Sequence, residues 1–322
     1  MISVARICFL LQLAMLCITT ALAQQYPARP IKLLVPIPPG GAPDIAARVV
    51  GQKLSEALGQ PIVVENRPGS NGNIAAEATA RATPDGHTLM LCADSQLVIN
   101  PHLYTKMTFD PLKDLVPVAT VVSNEFVLAV NSALPVKNFP EFIEYARKAS
   151  PLLNYASGGN GSQHHLTMEM LKARAGINLV HVPYKGGAPA TTAAVAGEVA
   201  AVFAGSSSAP QIKAGRLHAL AVASAKRSVV FPDLPTIGEF YPGFSNSIWL
   251  ALCAPAGTPE PILARLRSEV NKLLAQPDMK EKFSNAGALE PFITTPAEFA
   301  ALIRSDYAKY GKVVKDVGAT AE

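Results

Sequence analysis

The chain has 322 residues, 49% of them hydrophobic, with 28 Lys and Arg against 24 Asp and Glu. That mildly basic balance shows no Lys/Arg stripe and excludes a nucleic-acid footprint. Without the leader described next, about 300 residues remain, a length at which one core tends to split into two.

Residues 1–23, MISVARICFLLQLAMLCITTALA, place Arg6 before an apolar run from Ile7 and end on Ala21-Leu22-Ala23. This is the pattern of a secretory signal peptide with a small-residue cleavage site. The run is short, is interrupted by Gln12 and has no charged stop after it, which argues against a membrane anchor. Bulky Leu16 before Cys17 argues against lipoprotein processing. A periplasmic mature chain is expected from Gln24.

Ile31–Val35 is short and apolar enough for a buried strand. Pro36–Gly41 is a loop, and Ile45, Val49, Val50, Leu54 and Leu58 then recur at helical spacing before Gly59, the residue a helix C-cap favours. A strand feeding a Gly-rich turn and a helix N-terminus offers unpaired N–H groups and a positive dipole end to a small anion. The order repeats: strand Pro61–Val64, polar loop Asn66–Gly72, helix Ile74–Ala82, turn Pro84–Gly86, strand Thr88–Cys92, loop Ala93–Gln96. Strand–helix alternation predicts parallel βαβ units, whose ligands bind at the strands' carboxyl edge.

Val118–Val122 leads to Phe126–Val130, an apolar strand placed to cross into a second lobe. There the alternation resumes with helix Pro140–Ala149, strand Leu153–Ala156, Gly-rich loop Ser157–Ser162 and a helix ending at Gly176. Strand Leu179–Val182 runs into Pro183–Pro189 and an Ala-rich helix. Strand Val199–Phe203 runs into Gly205–Ser208 and a short helix, followed by strand Leu217–Val222. Ile248–Ala254 is a second crossing, and Glu260–Leu274 and Pro296–Val317 are amphipathic helices.

Enzyme signatures are missing: there is no G-x-x-x-x-G-K-[ST], H-E-x-x-H, C-x-x-C or G-x-S-x-G. His164 and His165 point roughly 100° apart on a helix and make a poor chelating pair, so helix-start or core roles are expected, with no metal and no cofactor. Ser206 to Ser208 name no catalytic partner. Lys185 is read first as a solvated or ion-paired lysine and second as an anion contact. Asp44 reads first as a helix cap; if it touches ligand, it accepts from a donor. Cys92 and Cys253, left after the signal is removed, sit in apolar runs; buried thiols are expected, with a disulfide open to them in an oxidising compartment.

What remains is binding by Gly/Ser-rich turns in both lobes, a chemistry suited to carboxylates and amides. The candidate contacts are Ile37, Pro38, Pro39, Gly40, Gly41 and Asp44 in the first loop, and Asp94 and Ser95 in the third. In the second lobe they are Ser157, Gly158, Asn160, Gly161 and Ser162, then Tyr184 and Lys185, then Gly205 and Ser206.

Ordered motifs run through the whole mature chain. They include Val35-Pro36-x-Pro38-Pro39-Gly40-Gly41-x-x-Asp44, Val63-Val64-Glu65-Asn66-Arg67-Pro68-Gly69, Leu153–Ser162, His181-Val182-Pro183-Tyr184-Lys185-Gly186 and Ala254–Pro259. The set resembles the Bug or TctC extracytoplasmic solute receptors of tripartite tricarboxylate transporters. The resemblance implies an α/β, type II periplasmic-binding-protein fold with two lobes, an interlobe cleft and two crossing strands. One lobe would hold residues 24–125 and 248–322, the other 126–247. It implies a monomer that captures a small organic acid or amide and delivers it to membrane transporter subunits. A hydrolase using Ser162 and His165, or an orphan sensing module, is the rival. Two departures stand out: Ile37 replaces a commonly aromatic residue, and Asp94 adds a carboxylate to a loop that usually begins with small hydroxyl residues. In the implied fold Cys92 and Cys253 would lie beside each other's strands but not opposite, so free thiols are expected.

Overall fold

The computed structural model describes residues 26–205, 208–287 and 289–320. The predicted leader and Ser206 lie outside them. Three strands form the first parallel unit: β1 (Ile31–Val35), β2 (Ile62–Asn66) and β3 (Thr88–Ala93). Helices α1 (Ala42–Leu58) and α2 (Asn73–Ala80) connect them. β1 is buried because neighbours flank it on both sides, β2 and β3, each in parallel register. α1 buries Ala46, Ala47, Val50 and Leu54, one face of the expected stripe, and closes on Gly59 in the left-handed conformation at φ 71°.

After β3 the chain does not loop. It enters a wide helical turn, Ser95–Ile99, and the short helices α3 (Asn100–Leu103) and α4 (Pro111–Asp114). Then comes β4 (Leu115–Asn131), a single strand of 17 residues. Its first part pairs with β9 (Ser247–Pro255) as far as Glu125 opposite Ser247. From Phe126 it pairs instead with β7 (Ala201–Gly205) and β8 (Leu217–Val222). The changeover falls within the stretch where a crossing was expected.

The second wing contains α5 (Phe139–Lys148), β5 (Asn154–Ser157), α6 (Gln163–Ala175), β6 (Val180–Pro183), α7 (Gly187–Ala196) and α8 (Ala209–Lys213). β5, β6 and β7 are parallel, as alternating strands and helices require. β9 then returns antiparallel between β3 and β4, giving the order β2-β1-β3-β9-β4-β7-β5-β6. The chain ends with α9 (Glu260–Leu274), α10 (Pro277–Gly287), a short β10 (Glu290–Pro291) and α11 (Pro296–Val317). Pro296 takes an early position in α11, and Thr295 and Glu298 close a reciprocal capping box. Among the described residues no helix is long and apolar enough to cross a membrane.

One expectation is overturned. Cys92 lies opposite Ala251 and Cys253 opposite Met90, offset as foreseen, yet the two are joined in a disulfide. The offset is two residues, so both side chains stand on the same face of the sheet as diagonal neighbours. Their Cα atoms are 6.4 Å apart, within reach of a bridge.

Candidate functional site

The carboxyl ends of the parallel strands in both wings face one cavity of about 770 Å³. The first turns of α1, α6 and α7 and the loop leading into α2 all contribute to its wall. Their unpaired N–H groups and dipole ends therefore converge on one space.

The β1–α1 loop is shaped from behind. Gly40 has φ 90°, which suits glycine, and the Ile37 side chain folds onto Gly41 where a Cβ would stand. Asp44 holds this turn. Its carboxylate accepts from the Gly40 N–H at 3.0 Å, from Arg48 at 2.9 and 3.1 Å, and from the Asn66 amide at 2.9 Å. Asn66 also donates to the Ile37 carbonyl at 3.0 Å. Burial raises the Asp44 pKa, but the bonds from Arg48, Gly40 and Asn66 and the charge of Arg48 outweigh it and hold the carboxylate below its ordinary range. Ile37, Pro38, Gly40 and Gly41 line the cavity. Asp44 does not: it is 3% exposed, and its oxygens are used in the helix's first turn. Pro39 does not line it either; it lies on the exposed outer bend of the turn.

The loop after β2 is a wall the sequence reading left out. Gly69, Ser70, Asn71 and Gly72 all have positive φ, so the main chain bulges toward the cavity. The Asn71 carbonyl accepts from Gln96 at 2.9 Å and from Asn100 at 3.1 Å, while its amide donates to Asn100 at 2.7 Å and reaches the Gly161 carbonyl in the other wing at 3.4 Å. Its place at the carboxyl end of a strand beside β1 was the available signal.

Ser95 and Gln96 line the cavity beyond β3. Asp94 lies in the wall too, but its carboxyl is wholly buried and accepts from Gln163 at 2.6 Å. Burial, and then the charge of Asp306, push its pKa well above the ordinary carboxylate value, so its charged form is disfavoured there.

In the second wing, Gly158, Asn160 and Ser162 line the cavity. Ser157 does not; its hydroxyl is 2.6 Å from His181 Nε2 and accepts from the Gly159 N–H at 3.0 Å, fixing the loop from below. Gly161 is turned away against Leu103 of the first wing. Ser162 caps α6 by accepting from the His165 N–H at 3.3 Å, and His165 Nδ1 accepts from the Gly161 N–H at 3.0 Å. Those bonds make both groups structural supports of the loop. Tyr184, Lys185 and Gly205 line the cavity; Ser206 falls outside the described residues. Gly186 lies against Pro38: a Cβ there would be 3.3 Å from the proline ring, so the wings touch at this point.

The lining carries Lys185 and Arg216 as its cations and Asp94, whose charged form burial disfavours, as its one acid among the described residues. His164 adds no charge near neutrality, because burial lowers its pKa to about 4. The field in the cavity therefore favours an anion.

The model of the tripartite tricarboxylate transporter family receptor matches residues 46–319. The chain is 37% identical to protein BugT of Bordetella pertussis over 300 residues, 92% of each. It is similar to the solved structure of R. palustris Rpa4515 with adipate, with TM-score 0.87 and 33% identity over 92% of this chain and 99% of that one. MatC (Rpa3494) from Rhodopseudomonas palustris with bound malate gives TM-score 0.82 and 32% identity over 90% and 100%. The α/β periplasmic-binding-protein fold expected from the motifs is the fold found.

Proposed function

Because the chain belongs to the tripartite tricarboxylate transporter receptor family, we propose that it is a periplasmic receptor that captures a small carboxylate or amide without altering it. The carrying observation is one cavity lined by main-chain turns from both wings, with two cations in its described lining against one acid, Asp94, whose charged form burial disfavours. Adipate and malate in two relatives of the same fold support a carboxylate. In this reading the wings are lobes, residues 24–125 with 248–322 and residues 126–247. They open about β4 and the segment entering β9 and close when ligand bonds to both. The closed monomer then hands its ligand to transporter subunits in the membrane.

Thermal unfolding with a panel of mono- and dicarboxylates and their amides tests the reading. A binder raises the melting temperature in proportion to the logarithm of its concentration. A panel without effect, or a ligand recovered chemically changed, overturns it.

A further inference from the structure

His164 is the second residue of α6 and lines the cavity. Its ring packs on Phe126 with centroids 4.7 Å apart and is clasped between two glycines. A Cβ on Gly158 would lie 3.0 Å from Nδ1, and one on Gly187 2.6 Å from Nε2. The two glycines belong to different cavity loops, and the lack of a side chain at both makes room for the ring.

The other histidines of this region have bonds: His165 accepts from Gly161, and His181 meets Ser157. Neither nitrogen of His164 has a partner among the described residues. Nearby hydroxyls on the same wall are engaged. Thr191 meets Ser208 at 3.4 Å, Thr192 donates to the Ala188 carbonyl at 3.1 Å, and Tyr184 donates to Glu198 at 3.1 Å. His164, a residue of the cavity wall, thus has an unused donor and an unused acceptor, since a neutral imidazole has one of each.

We propose that His164 is the specificity-determining side chain of this cavity and selects carboxylic acids that carry a hydroxyl on the carbon chain over their plain counterparts. The inference rests on the receptor reading above. A hydroxyl suits either nitrogen, accepting from N–H or donating to the lone pair. A methylene in its place strips the nitrogen of water and returns nothing. A second carboxylate there satisfies the N–H but cannot donate to the lone pair. Sites built to pair with a hydroxyl reject the analogue that lacks it far more strongly than apolar pockets reject a methylene.

Calorimetric titration of three matched pairs tests this: malate and succinate, 2-hydroxyglutarate and glutarate, 3-hydroxyadipate and adipate. In the wild type the hydroxylated member of at least one pair binds tenfold or more tightly. His164→Phe, which keeps the contact with Phe126, cuts that preference below threefold; His164→Gln, which keeps a donor and an acceptor, retains most of it. A second measurement needs no variant: the ¹⁵N shifts of the His164 ring in the wild type move on adding the hydroxy acid and stay put with the plain acid. Binding without hydroxyl preference, a preference that survives His164→Phe, or an unmoved ring overturns the role of His164 and leaves the receptor standing. Binding of none of the six acids overturns the role of His164, while the receptor reading is decided by the wider panel of carboxylates and amides above.

Discussion

Gln163, the first residue of α6, donates its side-chain amide to the buried carboxyl of Asp94, 2.6 Å away and 69 residues earlier at the end of β3. The contact joins the two wings behind the cavity. It continues into a closed network: Gln163 also donates to the Tyr310 hydroxyl at 2.9 Å, Tyr310 donates to Asn246 at 2.6 Å, and Asn246 donates back to Gln163 at 3.0 Å. The C-terminal helix α11 and the segment entering β9 are thereby tied to α6. In a buried site such bonds are strong when complete and costly when broken.

Asp94 makes the network sensitive to pH. Its folded pKa is raised, so the folded protein holds this proton more tightly than the unfolded chain. The stability it contributes is present below the unfolded value of about 3.9 and is lost as pH rises through the folded pKa. Asp94→Asn, which is neutral at every pH and still accepts from Gln163, should exceed the wild type in stability at pH 7 by about 1–3 kcal/mol, the cost of protonating a poorly partnered buried carboxyl or holding it charged. The difference should shrink toward pH 4. Urea unfolding at several pH values reads both; a gap constant with pH contradicts the account.

Asp44 has the opposite sign. Its folded pKa is depressed, so its contribution is present above the unfolded pKa and is lost as pH falls through the folded one. Asp44→Ala leaves the Gly40 N–H and the Asn66 amide without this acceptor and should cost about 1–3 kcal/mol near neutrality. The deficit against the wild type should narrow in acid. Because Asp44 shapes the first loop and does not line the cavity, ligand affinity should fall by weakening that shape, measurable by calorimetry.

Gly40→Val and Gly41→Val act on the same loop in different ways. Valine at 40 must adopt a positive φ, a strain of about 1–3 kcal/mol. Valine at 41 drives into the Ile37 side chain. Both variants should fold, by circular dichroism, and lose ligand binding by calorimetry. Unchanged affinity in both removes the β1–α1 loop from the site.

The Cys92–Cys253 bridge closes a span of 161 residues and links β3 to β9. Replacing both by Ala should lower stability by about 2–4 kcal/mol, as loss of a native bridge does. Thiol titration of the unreduced, unfolded mature protein should find no free thiol. Two titratable thiols would contradict the bond.

The alternation of elements was legible because strands and helices write their period locally. Helices Glu260–Leu274 and Pro296–Val317 were read to the residue, since each begins with proline in its first turn and carries an unbroken apolar stripe. Ser95 and Gln96, expected in the loop Ala93–Gln96, instead open the helical turn Ser95–Ile99, whose packing, with every residue buried, is tertiary. The roles of Asp94 and Asn71 were hidden for the same reason: their partners Gln163, Asn100 and Gly161 lie far along the chain. The bridge was misjudged because opposition across the ladder was taken as the requirement, whereas diagonal neighbours on one face suffice. For His164 the sequence points to a helix-start or core role; its place on the cavity depends on glycines in two separate loops.

The central claim is reversible capture of a small carboxylate in the cavity between the wings. Native mass spectrometry of the mature protein from a periplasmic extract tests it most directly. The account predicts one carboxylate or amide bound per chain, released on denaturation with its mass unchanged after prolonged incubation. Protein free of small molecules that takes up none of the carboxylates offered, or a bound compound whose mass changes with time, would contradict it.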